Sequence, residues 1–120
     1  MYKIRQFSGL TGVSTDTLRY YEKEGLLTPL RDGNGYRLYS EKDVAWLAFI
    51  LRLKETRMPL AQIKTYARLR ALGDSSLAER YAMLLAHQRY LSEWQEKLAV
   101  HQTHLQEKLQ IYEAMLSKQQ

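Results

Sequence analysis

The chain has 120 residues, enough for one small domain with an extension, and it contains no cysteine. The lack of cysteine excludes disulfides, thiolate metal sites and thiol redox chemistry. Its 18 Lys and Arg residues outnumber its 13 Asp and Glu residues, which gives a net charge of +5.

The excess positive charge is confined to one part of the chain. Residues 1–74 carry 13 basic and 8 acidic side chains, whereas residues 75–120 carry 5 of each. This distribution indicates nucleic-acid binding, because phosphate contacts release condensed counterions and supply most of the sequence-independent affinity. A solvated basic face is the alternative interpretation.

The sequence gives no sign of membrane insertion or export. The longest uninterrupted apolar run, residues 44–51, is too short to cross a bilayer. No positively charged segment followed by an apolar one opens the chain. We therefore expect no secretory signal, no membrane partner and a cytoplasmic location.

Two short helices joined by a tight turn are predicted at the start of the chain. Ile4, Phe7 and Leu10 are at helical spacing and are expected to face inward. Gly12 can supply the positive φ that a corner between two helices requires. Ser14 is a good N-cap for the second helix. This arrangement is typical of a helix-turn-helix.

The second helix is expected to end near Glu24, before Gly25, and to have an apolar and a polar side. Leu18 and Tyr21 are predicted to be core residues. Hydroxyls near its start and an Arg one turn later suit base edges and phosphates in a major groove. An amphipathic helix with a solvated polar face is the alternative. The residues on its other sides are Thr15, Thr17, Arg19, Tyr20 and Lys23.

A glycine-rich hairpin is predicted next. Residues 32–35, with the sequence DGNG, are a strong turn signal between two extended arms. Arg31 and Arg37 place a cation on each arm, and two glycines allow the backbone to approach a phosphate closely. The hairpin is therefore a candidate DNA-binding wing, with an ordinary surface hairpin as the alternative.

A third and a fourth helix are predicted to complete the domain. Residues 40–43 resemble a capping box, with Asp in place of the usual Glu or Gln, and open an apolar packing helix. Residues 57–59 break it before the fourth helix. The residues expected to face inward from the fourth helix are Leu60, Ile63, Tyr66, Ala67 and Leu69.

Basic residues cluster around the break between these two helices. Lys54, Arg57 and Lys64 could form a second phosphate clamp, which makes Arg57 a candidate DNA contact. An exposed basic loop explains the cluster equally well.

A single long helix is predicted after a linker at residues 73–76, because no Gly or Pro occurs beyond Gly73. Residues 76–116 as helix would be roughly 60 Å long and would have nothing in a monomer against which to bury an apolar stripe. Three glutamines occupy a positions within that stripe. The pattern predicts a homodimeric coiled coil. Its d positions are Leu77, Leu84, Leu91, Leu98, Leu105 and Tyr112.

Catalytic and metal sites are not predicted. His101 and His104 stand three residues apart, but an HxxH pair with no carboxylate or cysteine partner is typical of a solvated helix face. Nothing resembles a nucleophile–base pair, a phosphate-binding glycine loop or a nucleotide-binding fold. We expect neither enzymatic activity nor a cofactor.

Together these motifs resemble those of the MerR family of bacterial transcription regulators. The resemblance is carried by LTGVS at 10–14, TLRYYE at 17–22, GYRLY at 35–39 and MPLAQIK at 58–64, and it extends into the terminal helix. Arg57 stands where members of the family frequently have glycine, so we expect the loop there to differ.

The resemblance implies a mainly α fold. A winged helix-turn-helix DNA-binding domain of four helices and a β-hairpin wing would occupy residues 1–74. A long dimerisation helix forming an antiparallel coiled coil would occupy residues 75–120. The implied recognition contacts are Thr15, Thr17, Arg19 and Tyr20, and the implied wing contacts are Arg31, Tyr36 and Arg37.

The resemblance also implies a function. Family members bind a pseudo-palindromic operator within an over-long promoter spacer and distort it, which realigns the promoter elements for RNA polymerase. Because many members sense their signal through cysteines, the identity of a small-molecule inducer is left open here. Two alternatives remain: a DNA-architectural winged-helix protein that does not control polymerase, and a coiled-coil interaction protein whose basic domain is incidental.

Overall fold

The computed structural model describes all 120 residues and is mainly helical. Contact density divides the chain into two compact units, Met1–Met83 and Leu84–Gln120. The helices and strands are α1 (Ile4–Thr11), α2 (Thr15–Lys23), β1 (Leu30–Arg31), β2 (Arg37–Leu38), α3 (Glu41–Glu55), α4 (Leu60–Ala71), a 3₁₀ turn (Gly73–Ser76) and α5 (Leu77–Lys118).

The predicted helix-turn-helix is confirmed. Gly12 ends α1 in the left-handed conformation, with φ 73°, and its N–H donates to the Ser8 carbonyl. The Ser8 hydroxyl donates to the Val13 carbonyl at 2.6 Å, which ties α1 to the turn. The Ser14 side chain accepts a hydrogen bond from the Thr17 N–H and caps α2. These local bonds set the corner between the two helices.

The core of the first unit is shared by all four of its short helices. Its fully buried side chains include Phe7 from α1, Leu18 from α2, Ile50 from α3 and Ile63 from α4. Each such side chain stabilises the fold by roughly 1.5–3 kcal/mol through burial. This shared core fixes α2 against the helices around it.

Two residues predicted to face inward are exposed. Leu10 is 58% exposed, because steps of three residues drift by about 60° around a helix and carry it away from the face of Phe7. Leu60 is 38% exposed, because it is the first residue of α4 and lines a surface cleft with Tyr20 and Lys54.

The wing is a short antiparallel hairpin. Leu30 pairs with Leu38 and Arg31 pairs with Arg37. The Asp32 carboxylate accepts hydrogen bonds from two backbone N–H groups of the turn, at 2.9 and 3.0 Å. This turn chemistry confirms the hairpin predicted from residues 32–35.

The base of the wing is tied to the N-terminus and to the core. Tyr2 and Tyr39 form an antiparallel bridge with N–H to carbonyl distances of 2.7 and 2.8 Å. The Tyr39 ring is fully buried and stacks on Phe7, with the ring centroids 4.2 Å apart. The Tyr2 hydroxyl donates to the Glu41 carboxylate, which raises the pKa of Tyr2.

The start of α3 and the α3–α4 turn follow the predicted pattern. The Asp43 carboxylate accepts from the Ser40 N–H at 2.8 Å, and the Ser40 hydroxyl accepts from the Asp43 N–H at 3.3 Å, which completes the capping box. At the turn, Arg57 has a φ of 71° and is the only non-glycine residue with a positive φ. Met58 is buried beside it.

The segment predicted as a linker, residues 73–76, is instead an ordered 3₁₀ turn. Ser76 is buried, and its hydroxyl donates to the Gly73 carbonyl at 2.9 Å. The Arg80 guanidinium donates to both residues, at 3.0 Å to Ser76 and 2.9 Å to Gly73. The small polar side chains here satisfy backbone groups after α4, so the composition that suggested a linker has a structural role.

The predicted long helix is confirmed as α5, which has 42 residues and no buried side chain. At about 1.5 Å per residue it is roughly 63 Å long. Among the predicted seam residues, Leu98 is 46% exposed and Leu105 is 62% exposed. None of the helices combines the length and the hydropathy that a membrane span needs.

Candidate nucleic-acid interface

Four cations line a groove between the start of α1, helix α2 and the wing. The groove has a volume of about 570 Å³ and is also lined by Tyr36 at the wing tip. A concentration of positive charge drawn from three elements favours a phosphate backbone. The four cations are Lys3, Arg5, Arg19 and Arg37.

Arg19 extends from the exposed face of α2. One terminal nitrogen lies 3.1 Å from a carboxylate oxygen of Asp16, and the same nitrogen is 3.5 Å from the Thr15 hydroxyl. The side chains of Arg19 and Asp16 are 47% and 96% exposed. An exposed ion pair of this kind contributes only about 0–1 kcal/mol. Replacing this ion pair by a contact between Arg19 and a base edge or a phosphate therefore costs little free energy.

The other predicted contacts on α2 are spread around the helix. Thr15 and Thr17 are half-buried, and the Thr17 hydroxyl accepts from the Ser14 hydroxyl at 2.9 Å. Tyr20 is exposed but lines a smaller cleft beside α3 and α4, so it lies apart from the Arg19 groove. Lys23 is exposed in the last turn of α2, where a cation complements the helix dipole.

Both wing arginines are paired with Glu22 of α2. The Arg37 Nε lies 2.5 Å from one carboxylate oxygen, and an Arg31 Nη lies 2.8 Å from the other. Arg31 also donates across the hairpin to the Gly35 carbonyl at 3.1 Å. The terminal nitrogens of Arg37 make no hydrogen bond within the protein. The wing and α2 are therefore joined by one acidic side chain.

The basic cluster at the α3–α4 turn is largely engaged within the protein. The Lys54 ammonium donates to the Tyr21 hydroxyl at 2.8 Å and lies 5.0 Å from the centre of that ring. Lys64 forms an ion pair with Glu24. Arg57 is exposed at the turn. Lys54 and Lys64 therefore both have partners within the first unit.

The segment that follows α2 is held by α3. The Trp46 indole donates to the Leu26 carbonyl at 2.7 Å, and Leu26 is itself buried. Trp46 stacks on Tyr66 of α4 at 5.9 Å and is covered by the Arg70 guanidinium at 4.2 Å. This packing fixes the position from which the wing begins.

Sequence reasoning missed Lys3, Arg5 and Glu22 as residues of the interface. Both cations contribute to the net charge, but the sequence pattern of α1 predicts only a packing helix. Their signal is a pair of basic residues separated by one apolar residue in MYKIR, residues 1–5. These cations lie just before and within the first turn of α1. Glu22 had no local signal, since its partners lie 9 and 15 residues away.

Two family profiles match the sequence. Residues 2–69 match the one described as MerR HTH family regulatory protein, and residues 44–108 match the one described as MerR, DNA binding. Together the two matches cover most of the chain.

Individual proteins are also similar. An uncharacterized HTH-type transcriptional regulator of Haemophilus influenzae is 37% identical over an alignment of 103 residues, and the match covers 76% of this chain and 76% of that protein. The Bacillus subtilis regulator YyaN is 42% identical over 69 residues, 57% of this chain and 50% of its own length. The chain thus matches only half the length of YyaN.

Among solved structures, one neighbour is HiNmlR, described as a MerR family regulator lacking the sensor domain, bound to promoter DNA. It is 32% identical to this chain, with a TM-score of 0.83, and the match covers 93% of this chain and 90% of that one. The similarity therefore includes the wing, the helix-turn-helix and most of the long helix.

Proposed function

The chain belongs to the MerR family of helix-turn-helix transcription regulators, and from that premise we propose that it acts as a homodimer on a pseudo-palindromic operator within a promoter spacer. In this proposal the dimer distorts the operator and thereby controls transcription by RNA polymerase. Residues 1–74 serve as the DNA-binding part and residues 75–120 as the dimerisation part.

The observation that carries the proposal is the cation-lined groove beside α2 and the wing. It brings Arg19, the candidate reader of base edges, next to Arg37 and Tyr36 of the wing. Base contacts specify a sequence, and phosphate contacts fix the orientation of the protein on the duplex. One surface can therefore supply both kinds of contact. HiNmlR, the similar regulator, is bound to promoter DNA in its crystal structure.

Dimerisation is supported by the exposed apolar stripe of α5. Leucines at seven-residue intervals favour pairing with a second helix of the same kind. Pairing in the antiparallel sense separates two DNA-binding parts that each carry the excess of positive charge. A two-fold dimer presents the same surface twice, which suits an inverted repeat.

Distorting a promoter requires firm contacts on both flanks of each half-site, because bending a site of 20–30 base pairs costs on the order of 1–6 kcal/mol. Lys3, Arg5 and Arg37 provide cations on one side of α2. Arg57 directly precedes Met58, which lines the separate cleft beside Tyr20 of α2, so it supplies a cation near a different part of that helix.

Two substitutions test the assignment of this surface. Arg19→Ala should lower operator affinity and relax base preference, because a good bidentate base contact is worth about 1–3 kcal/mol of discrimination. Arg37→Ala should weaken binding to every sequence and reduce the salt slope by about one, as expected for a phosphate contact. Fluorescence anisotropy over a salt series measures both effects.

Lys118→Ala is the matched control, since it removes the same charge from the far end of α5. Unchanged operator binding in both groove variants would contradict the proposed surface.

The architectural alternative is distinguished by transcription. With the protected sequence placed between the two elements of a promoter, a regulator changes the amount of transcript made in vitro. An architectural factor binds the same template and leaves transcription unchanged.

A further inference from the structure

We propose that Glu22 gives this protein its preference for operator over other DNA by positioning the two wing arginines, although its own negative charge opposes DNA binding. The inference rests on the proposed function, because it assigns a role to Glu22 within the same interface. Glu22 is a positioning residue here, and the contacts with DNA are made by the arginines.

Glu22 binds each wing arginine with a different oxygen. One oxygen lies 2.5 Å from the Arg37 Nε and the other lies 2.8 Å from an Arg31 terminal nitrogen. The side chains of Glu22 and Arg37 are only 22% and 26% exposed, so the pair is partly shielded from water. Charge-assisted hydrogen bonds in such a setting hold the side chains in one orientation.

The engagement of Arg37 through Nε has a geometric consequence. Its two terminal nitrogens remain available, and the side chain lines the groove that Arg19 also lines. Glu22 therefore fixes the inner edge of the Arg37 guanidinium and leaves the outer edge for a phosphate. An arginine held in this way loses less rotamer freedom when it meets DNA.

The hairpin itself explains why a carboxylate is needed. Arg31 and Arg37 are directly paired across the two strands, and like charges opposite each other destabilise a hairpin. A single carboxylate between them offsets this repulsion. Because it comes from α2, it also holds the wing at one position relative to the helix that bears Arg19.

The charge and the geometry of Glu22 affect two kinds of DNA binding in opposite ways. Binding to arbitrary DNA depends mainly on net charge, so a carboxylate at the interface weakens it. Binding to an operator also depends on the arginines meeting fixed phosphates in register with the base contacts. Removing the charge should therefore strengthen the first kind of binding and weaken the second.

Glu24→Gln provides a matched control for Glu22→Gln. Glu24 lies two residues further along the chain, is 23% exposed and pairs with Lys64 of α4 instead of with the wing. Both substitutions remove one negative charge from the end of α2. Only Glu22→Gln removes the support of the wing arginines.

The test compares the full-length proteins on two duplexes. One duplex carries the sequence that the wild-type protein selects from a random pool, and the other carries the same bases in scrambled order. For Glu22→Gln, Kd for the selected duplex should rise on the order of tenfold, because two arginines must be ordered on binding. Kd for the scrambled duplex should fall about two- to threefold, because one repulsive charge is gone.

Two further readouts separate positioning from other roles. The salt slope of Glu22→Gln on the selected duplex should match that of the wild type, because every arginine keeps its charge. Glu22→Asp keeps the carboxylate but shortens it by one methylene, so it should weaken binding to the selected duplex without any gain on the scrambled one. Glu24→Gln should strengthen binding to both duplexes about equally.

The proposal is overturned if Glu22→Gln binds both duplexes more tightly, as a purely electrostatic role predicts. It is also overturned if Glu22→Gln loses affinity for both duplexes in parallel with a lowered Tm, as a purely structural role predicts. A wild-type protein that selects no sequence would contradict the proposed function itself, and this inference with it. Failure of the proposed function is thus seen in the wild type, before any variant is compared.

Discussion

At the residue scale, the acidic side chains of α2 organise the cations around the interface. Asp16 pairs with Arg19 on the exposed face, and Glu24 pairs with Lys64 near the α3–α4 turn. Glu22 holds the two arginines of the wing. These carboxylates lower the net charge of α2 and its C-cap, but the two partly buried ones, Glu22 and Glu24, hold cations of the wing and of α4 in place.

Tyr39 presents a different situation, because its hydroxyl is buried without a hydrogen-bond partner in the protein. Its ring is well placed, stacked on Phe7. Burial raises the pKa of Tyr39 above the ordinary value of 10.0. The hydroxyl thus reduces the stability that the ring provides.

We predict that Tyr39→Phe stabilises the protein by about 1 kcal/mol, because an unsatisfied buried polar group costs about 1–3 kcal/mol. Above pH 10.0 the unfolded tyrosine releases its proton while the buried one retains it, so this residue makes wild-type stability fall as pH rises. The substitution should remove that part of the alkaline loss. Urea unfolding at pH 7 and at alkaline pH measures both effects.

Tyr36→Phe is the control, since Tyr36 is 64% exposed at the wing tip and its hydroxyl is not buried. It should leave the free energy of unfolding unchanged at pH 7. A Tyr39→Phe protein less stable than the wild type would show that the hydroxyl has a favourable partner.

At the scale of the elements, the α3–α4 turn contains the one strained backbone position. Arg57 has a φ of 71°, a conformation that favours glycine because it brings Cβ close to the following carbonyl oxygen. Met58 is buried directly after it, so the turn cannot simply open. Because Arg57 stands where family members frequently have glycine, the sequence predicts a loop that differs from theirs. The backbone at Arg57 nevertheless adopts the conformation that suits glycine.

We predict that Arg57→Gly is more stable than Arg57→Ala by about 1 kcal/mol, because both lose the same side chain but only glycine relieves the positive φ. Thermal unfolding of the two variants measures this difference. If Arg57 is also a phosphate contact, both variants should lose the same fraction of DNA affinity. Equal stability of the two variants would show that the turn relaxes around alanine.

The elements predicted correctly are those specified by interactions within a few residues. Ser14 caps α2, Ser40 and Asp43 form the capping box of α3, and Gly12 ends α1. Each of these caps can be predicted from residues that are close together in the sequence. The family motifs allowed the wing to be recognised as part of a DNA-binding fold. Local signals and family motifs together were sufficient for the order of helices and strands.

The features that could not be predicted depend on contacts between distant residues. No local pattern in the sequence indicates that Glu22 meets Arg37, or that Tyr2 pairs with Tyr39. The sequence predicts a linker at residues 73–76, because Gly, Asp and Ser are typical of linkers, and this prediction is wrong. Here Ser76 is buried against the carbonyls that follow α4, a role that depends on the fold.

At the scale of the whole molecule, the bounds of α5 suggest how two copies would pair. In an antiparallel coiled coil, an a residue of one helix packs against a d residue of the other. The first d residue, Leu77, and the last a residue, Leu116, lie near the two ends of the helix. Pairing Leu77 with the partner's Leu116 leaves no seam residue unmatched along α5.

We predict that a Leu77→Cys, Leu116→Cys double variant oxidises to a covalent dimer, while neither single variant does. The wild-type chain has no cysteine, so any cross-link comes from the introduced thiols. Non-reducing electrophoresis after mild oxidation measures the result. A parallel pair of helices would instead link each single variant to itself, which would contradict the antiparallel dimer.

The central claim is that two copies of this surface read an inverted repeat in a promoter. A hydroxyl-radical footprint of the purified protein, on DNA upstream of its own and neighbouring genes, tests it most directly. We predict protection of two symmetric half-sites lying between the promoter elements. Arg19→Ala should lose this protection at concentrations where Lys118→Ala retains it. Diffuse protection without a repeat would contradict the claim.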